Sequence, residues 1–146
     1  MSQPTQVDPR GLRVVAGITA VVLAAVLVIP SEPVRIALLA IQVAVFATAS
    51  LIGLTTSPYA IFYAKVVRPR IGPPVELEDS RPPRFAQFVG LAFTVVALAA
   101  LLAGATTAAL IATGFALVAA LLNAVLGLCL GCELYLVLRR LSPASA

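Results

Sequence analysis

Phe85-Ala86-Gln87-Phe88-Val89-Gly90 opens a run that reaches Gly127-Leu128-Cys129-Leu130-Gly131-Cys132 without one charged residue, 48 positions in all. As a single helix it would be about 72 Å long at about 1.5 Å per residue. The hydrocarbon core of a bilayer is only about 30 Å thick. The run must therefore fold back on itself. Gly104-Ala105-Thr106-Thr107 is the best place for the turn. It leaves one span over 85–104 and another from 107 to 132, or on to 138 before Arg139 and Arg140.

Outward from that run, the same pattern recurs upstream. Val14 to Ile29 is uncharged and follows Arg10 and Arg13. Pro30-Ser31-Glu32-Pro33 makes a turn, and Ile36 to Leu54 is a further apolar run. These give spans over 12–30 and 35–55. The first run is not read as a cleaved signal peptide, because the residues after it make a poor cleavage site and further spans follow. The expected fold is all-α: a four-helix transmembrane bundle forming a single membrane domain over 1–146. Met1 to Arg10 is polar and expected to be disordered.

Composition agrees. The chain is 61% hydrophobic and 11% charged, with a mean hydropathy of +1.07. Soluble domains are about 45–50% apolar and about 25% charged. The net charge of +4 is not read as a nucleic-acid footprint, since no soluble basic surface exists. Basic residues instead flank spans. Nine of them (Arg10, Arg13, Lys65, Arg68, Arg70, Arg81, Arg84, Arg139 and Arg140) fall on one side of a four-span topology, and Arg35 alone on the other. The positive-inside rule then puts both termini and the central loop, 57–84, in the cytoplasm, with the chain in a cytoplasmic membrane.

Within that loop, Ser57-Pro58 is a good helix start. Tyr59, Phe62, Tyr63 and Val66 recur on one helical face, which predicts a short interfacial helix between spans two and three. Pro69, Pro73, Pro74, Pro82 and Pro83 predict extended backbone from Arg68 to Arg84. Arg68, Arg70, Glu76, Glu78, Asp79, Arg81 and Arg84 either pair locally or form a docking edge for a partner.

Candidate chemistry is concentrated in Cys129-Leu130-Gly131-Cys132-Glu133. A CxxC spacing suits reversible dithiol chemistry. Buried packing cysteines and a shared metal site are the alternatives. A metal would need two more ligands, and the chain has no histidine. No haem, flavin or nicotinamide motif is present, so no cofactor is expected. Gly127 and Gly131 form a GxxxG pair suited to close helix packing. On a continuous helix, Cys129, Cys132 and Glu133 would share another face near its C-terminus, where thiolates are disfavoured. A break at Gly127 would instead start a new helix near Cys129, with its amides aimed at the sulfur. Glu133, at the membrane boundary, should be paired, with Arg140, Arg81 or Arg84 in reach, protonated, or functional.

Arg68-Pro69-Arg70-Ile71-Gly72-Pro73-Pro74, Glu76-Leu77-Glu78-Asp79, Pro82 to Gln87, Leu122-Asn123-Ala124 and Gly127 to Tyr135 together resemble a bacterial family of small integral membrane proteins whose function is unknown. The resemblance covers roughly residues 7–140. It implies gene neighbours encoding thioredoxin-like proteins and sulfurtransferases, and so a role in thiol or sulfur metabolism. Three expectations stand at this point. The first is thiol-redox or sulfur transfer at Cys129, Cys132 and Glu133 with such a partner. The second is a non-enzymatic membrane scaffold, possible also as a homo-oligomer. The third is a small transporter of a sulfur compound, lined by the scattered polar residues Gln42, Thr48, Ser50, Gln87, Thr94 and Asn123.

Overall fold

The computed structural model describes residues 6–142. A short strand, β1 (Gln6–Val7), leads into α1 (Pro9–Val28). Then come α2 (Glu32–Ala47), α3 (Pro58–Phe62), α4 (Arg68–Ile71), β2 (Glu78–Asp79), α5 (Arg81–Leu102), α6 (Thr106–Leu121) and α7 (Leu130–Leu141). Wider π-helical turns extend α2 over Thr48–Ile52, α3 over Tyr63–Val67 and α6 over Leu122–Leu126. Four helices are long and apolar enough to cross a membrane: Pro9–Val28, Glu32–Ile52, Arg81–Leu102 and Thr106–Leu126. The protein is an all-α membrane bundle. In it α1 packs on α2 and α6, and α5 packs on α2 and α6, which closes the ring.

One end of the bundle is dry. Leu23, Val26, Leu39, Ala97, Leu101, Ala109 and Ala112 form a buried apolar cluster there. Both connections are tight. Ser31 Oγ accepts from Val34 N at 3.4 Å to start α2. Gly104 sits at φ 84°, a left-handed conformation that closes α5 with Ala105 N donating to Ala100 O. The other end carries the three π-helical turns, the two strands and α7. Polar groups inside the bundle are mostly satisfied at once. Thr94, Thr113 and Ser50 donate to carbonyls four residues back on their own helices. Gln42 bridges Thr19 Oγ1 and the Tyr59 hydroxyl.

The structure differs from the sequence reading at four places. Residues 6–10 are ordered; the remainder of the expected disordered segment, 1–5, lies outside the described residues. Asp8 caps α1, and β1 pairs antiparallel with β2, Gln6 opposite Asp79 and Val7 opposite Glu78. The prolines do not keep 68–84 extended. Pro69 lies in α4, and Pro82 and Pro83 occupy the first turn of α5. First-turn amides have no partner inside the helix, so proline is tolerated there. The fourth span stops at Leu126 and reaches neither 132 nor 138, because Gly127 takes φ 70° and turns the chain. Gly127 and Gly131 are therefore not one packing face. Gly127 is a helix terminator, while Gly131 alone makes the close contact: a Cβ there would meet Ala86 Cα at 2.6 Å.

Candidate functional site

The break at Gly127 creates the site. Leu128 N closes the wide turn onto Leu122 O at 3.1 Å, the chain extends, and Cys129 becomes the N-cap of α7. Cys129 Sγ accepts from the Cys132 amide at 3.2 Å. Cys129 and Cys132 are joined as a disulfide, with Cα atoms 5.2 Å apart. The sulfur thus lies at the amide end of a helix of 12 residues. That end carries positive partial charge and favours the thiolate over the thiol once the bond is reduced. A continuous helix would have given the opposite field.

Three supports hold this geometry. Gly131 seats α7 against Ala86 of α5. Tyr135 stacks on Phe85 with ring centroids 5.6 Å apart, and the Arg139 guanidinium lies 5.9 Å over the Tyr135 ring. Arg13, from α1, reaches across to the frayed end of the fourth span. Its guanidinium donates to Ala124 O at 3.1 Å and to Val125 O at 2.9 Å, satisfying carbonyls the break leaves open.

Two cavities meet at Cys129, one more polar than the other. Outside lies a polar cleft of about 440 Å³, lined by Arg13, Asp79, Gln87, Cys129, Cys132 and Glu133. Inside lies an apolar slot of about 260 Å³ that Cys129 also lines, with Gly90, Phe93, Phe115 and Ala120. Gln87 borders both, and its buried Oε1 finds no hydrogen-bond partner.

The charged residues of the loop are partly committed elsewhere. Arg81 pairs with Asp79 at 2.7 Å. Arg84 donates to Ser50 O at 2.7 Å and Leu51 O at 3.1 Å, closing the end of the second span. Arg70 donates to Val66 O at 2.8 Å. Arg84 is therefore engaged as a structural cap. Glu76, Glu78 and Arg68 remain exposed. Glu133 is exposed at the rim of the polar cleft, and among the described residues it forms no ion pair, so the expected bridge to Arg140, Arg81 or Arg84 is not made. Among the described residues no group of three His, Cys, Asp or Glu could hold a metal.

A family model described as Domain of unknown function (DUF4395) matches residues 7–140. The chain belongs to that family. No curated protein and no solved structure matches it. The match spans both halves of the molecule, and those halves repeat one plan that the sequence reading missed. The DUF4395 chain enters α1 through Asp8-Pro9-Arg10-Gly11-Leu12-Arg13 and α5 through Asp79-Ser80-Arg81-Pro82-Pro83-Arg84. In each, the aspartate accepts from the amide of the arginine two residues on and pairs with its side chain; Asp8 is the N-cap of α1, whereas the N-cap of α5 is Ser80. In each, the arginine five residues on crosses to cap the wide turn ending a span of the other half. After that turn each half starts a short helix with a side-chain cap: Ser57 Oγ accepts from Ala60 N, and Cys129 Sγ from Cys132 N. The doubled D-x-R-x-x-R spacing was the signal available in the sequence.

Proposed function

We propose that this protein is a membrane-bound thiol–disulfide exchange protein, set in a bacterial cytoplasmic membrane with the CxxC end facing the cytoplasm. The observation that carries the reading is the position of Cys129: N-cap of α7, disulfide-bonded to Cys132, on the rim of a polar cleft. Nine of the ten Lys and Arg residues belong to segments at that end, which supports the orientation.

The exchange balances as follows. A thiolate of a soluble dithiol partner attacks Cys129 Sγ, a mixed disulfide forms, and Cys132 leaves as thiolate and takes a proton. The partner's second thiolate then attacks its own sulfur in the mixed disulfide and releases Cys129. The partner has lost two electrons and this chain has gained them. The Cys132 amide and the α7 dipole stabilise the Cys129 thiolate released in the second step. A thioredoxin-like protein has the required chemistry, and exposed Glu78 on the lining of the cleft, with Glu76 and Arg68 exposed elsewhere on the same loop, are the residues left to recognise it.

Thiol trapping with a mass-tagged alkylating reagent in native membranes tests this. A fraction of Cys129 and Cys132 should become taggable only after reduction, and a partner lacking its second thiol should accumulate a mixed disulfide on Cys129. Two permanently reduced, slowly reacting thiols would sink the proposal and leave a scaffold role leading.

A further inference from the structure

The slot behind the disulfide is the remaining unexplained feature at the site. It lies at membrane depth between α1, α5, α6 and the start of α7. Its walls are small residues and rings: Gly90, Ala116 and Ala120 against Phe46, Phe93 and Phe115. A cavity of about 150 Å³ takes a benzene ring, so 260 Å³ has room for a substituted one. Its polar groups include Gln87 and Asn123, which also line the polar cleft, so they gather where the slot meets Cys129. The buried, unpartnered Oε1 of Gln87 is costly unless something donates to it, by about 1–3 kcal/mol.

Phe93 and Phe115, with centroids 6.3 Å apart, form the other limit. They also line an open, wholly apolar groove of about 440 Å³ on the outer face of α5 and α6, with Val96, Ala108 and Ile111. Val96 and Ile111 are exposed there, facing lipid in a spanning bundle. The two rings are thus shared by the slot and an outward apolar groove.

Resting on the exchange reading above, we propose that this slot binds a membrane quinone and that the quinone reoxidises the cysteine pair. The head group occupies the slot beside Cys129 and the hydrocarbon tail follows the groove. An amide side chain serves both redox forms: its N–H donates to a quinone carbonyl, and its oxygen accepts from a quinol hydroxyl. Gln87 therefore fits the oxidised and reduced ligand alike. In the step, the two S–H bonds of Cys129 and Cys132 break and the S–S bond forms. Two electrons and two protons pass to the quinone oxygens, giving the quinol. The polar cleft admits the dithiol and the slot admits the acceptor, with Cys129 lining both.

Binding is tested separately from electron transfer. The full chain carrying Cys129→Ser and Cys132→Ser, in lipid nanodiscs, is photolabelled with an azido-quinone. Label should fall near Gln87, Asn123 and Leu130, at the Cys129 end of the slot. Decylubiquinone should compete, decanol should not, and Gln87→Leu, with its melting temperature measured alongside, should weaken that competition about tenfold, the loss of one good hydrogen bond. The reduced wild-type chain should then convert one decylubiquinone to quinol per protein. Equal competition by decanol would make the slot a lipid crevice, and absence of label would remove the site; exchange with a soluble dithiol, measured on the wild-type chain, would survive either result. Specific labelling without quinol formation or dithiol exchange would overturn the redox step together with the exchange reading.

Discussion

The two halves of this bundle use the same devices and part company at one cap. Each half enters through D-x-R-x-x-R, ends its second span in a π-helical turn, and begins a short helix at a capped residue. In the first half the cap is Ser57 and the residue three on is Ala60; in the second they are Cys129 and Cys132. Serine is among the best N-caps, while sulfur is a weak acceptor. The first half shows that the plan folds with an oxygen at this position. A cysteine there, with a second thiol at the next turn, is thus not explained by helix capping. What the difference teaches is that the second half keeps the scaffold and places a disulfide-bonded cysteine pair on it.

The sharpest way to break that comparison is to make the halves alike. Cys129→Ser should reduce exchange with a soluble dithiol to the uncatalysed background. Under reducing conditions its unfolding free energy should stay within about 1 kcal/mol of wild type, because serine caps at least as well. The check is a stopped-flow exchange assay beside a denaturation curve. A loss of several kcal/mol would mean that the sulfur is structural after all.

The crossed arginines sharpen it next. Arg13 and Arg84 do the same job in opposite directions, each binding the last carbonyls of the other half's second span. Hydrogen bonds from a charged donor contribute about 1.5–3 kcal/mol. Arg13→Leu and Arg84→Leu should therefore destabilise by similar amounts in a reversible unfolding assay. Only Arg13→Leu should also slow exchange, since Ala124 and Val125 lie directly before the break that positions Cys129. Equal effects of the two variants on exchange would show that the halves are not functionally distinct.

Much of this was legible beforehand, and the physical reason is length. Uncharged runs cannot be longer than a bilayer is thick, so Phe85 to Cys132 had to fold back and four spans had to result. The end of the fourth span was not legible. Gly127 sits in an apolar stretch that satisfies both a packing face and a terminator, and only the backbone, at φ 70°, decides. The prolines misled for a related reason: Pro82 and Pro83 break a helix interior but suit a first turn, and the position of Ser80 ahead of them was the missing clue. Arg84 and Arg13 read as topology signals. Their second role, capping a distant span, depends on a contact between halves that spacing alone does not reveal. The CxxC was visible, but whether it met a helix start or a helix end was not.

The smallest contrast lies in the two aspartates. Asp8 and Asp79 each accept from the amide two residues on and pair with that arginine, but their surroundings differ. Asp8 has a side chain only 11% exposed, against 44% for Asp79. Burial by itself would raise the Asp8 carboxyl. Hydrogen bonds from the Arg10 side chain, the Tyr63 hydroxyl and the Arg10 amide overcome it, lowering the value from 3.8 to about 2. Asp79 is also lowered, chiefly by the Arg81 side chain, but in open solvent. A carboxyl lowered in the folded state contributes stability above its unfolded value and loses it as protons bind the unfolded chain first. Stability from Asp8 should thus be complete above pH 3.8 and fall away towards about pH 2. The loss should be on the order of 1 kcal/mol after screening by water. Asp8→Asn, which can still cap, should flatten that acid limb of the unfolding curve, while Asp79→Asn should leave most of it. If both variants flattened it equally, the Tyr63 contact would contribute nothing, and the tie between α1 and the turn after α3 would be no stronger than the exposed pair at the start of α5.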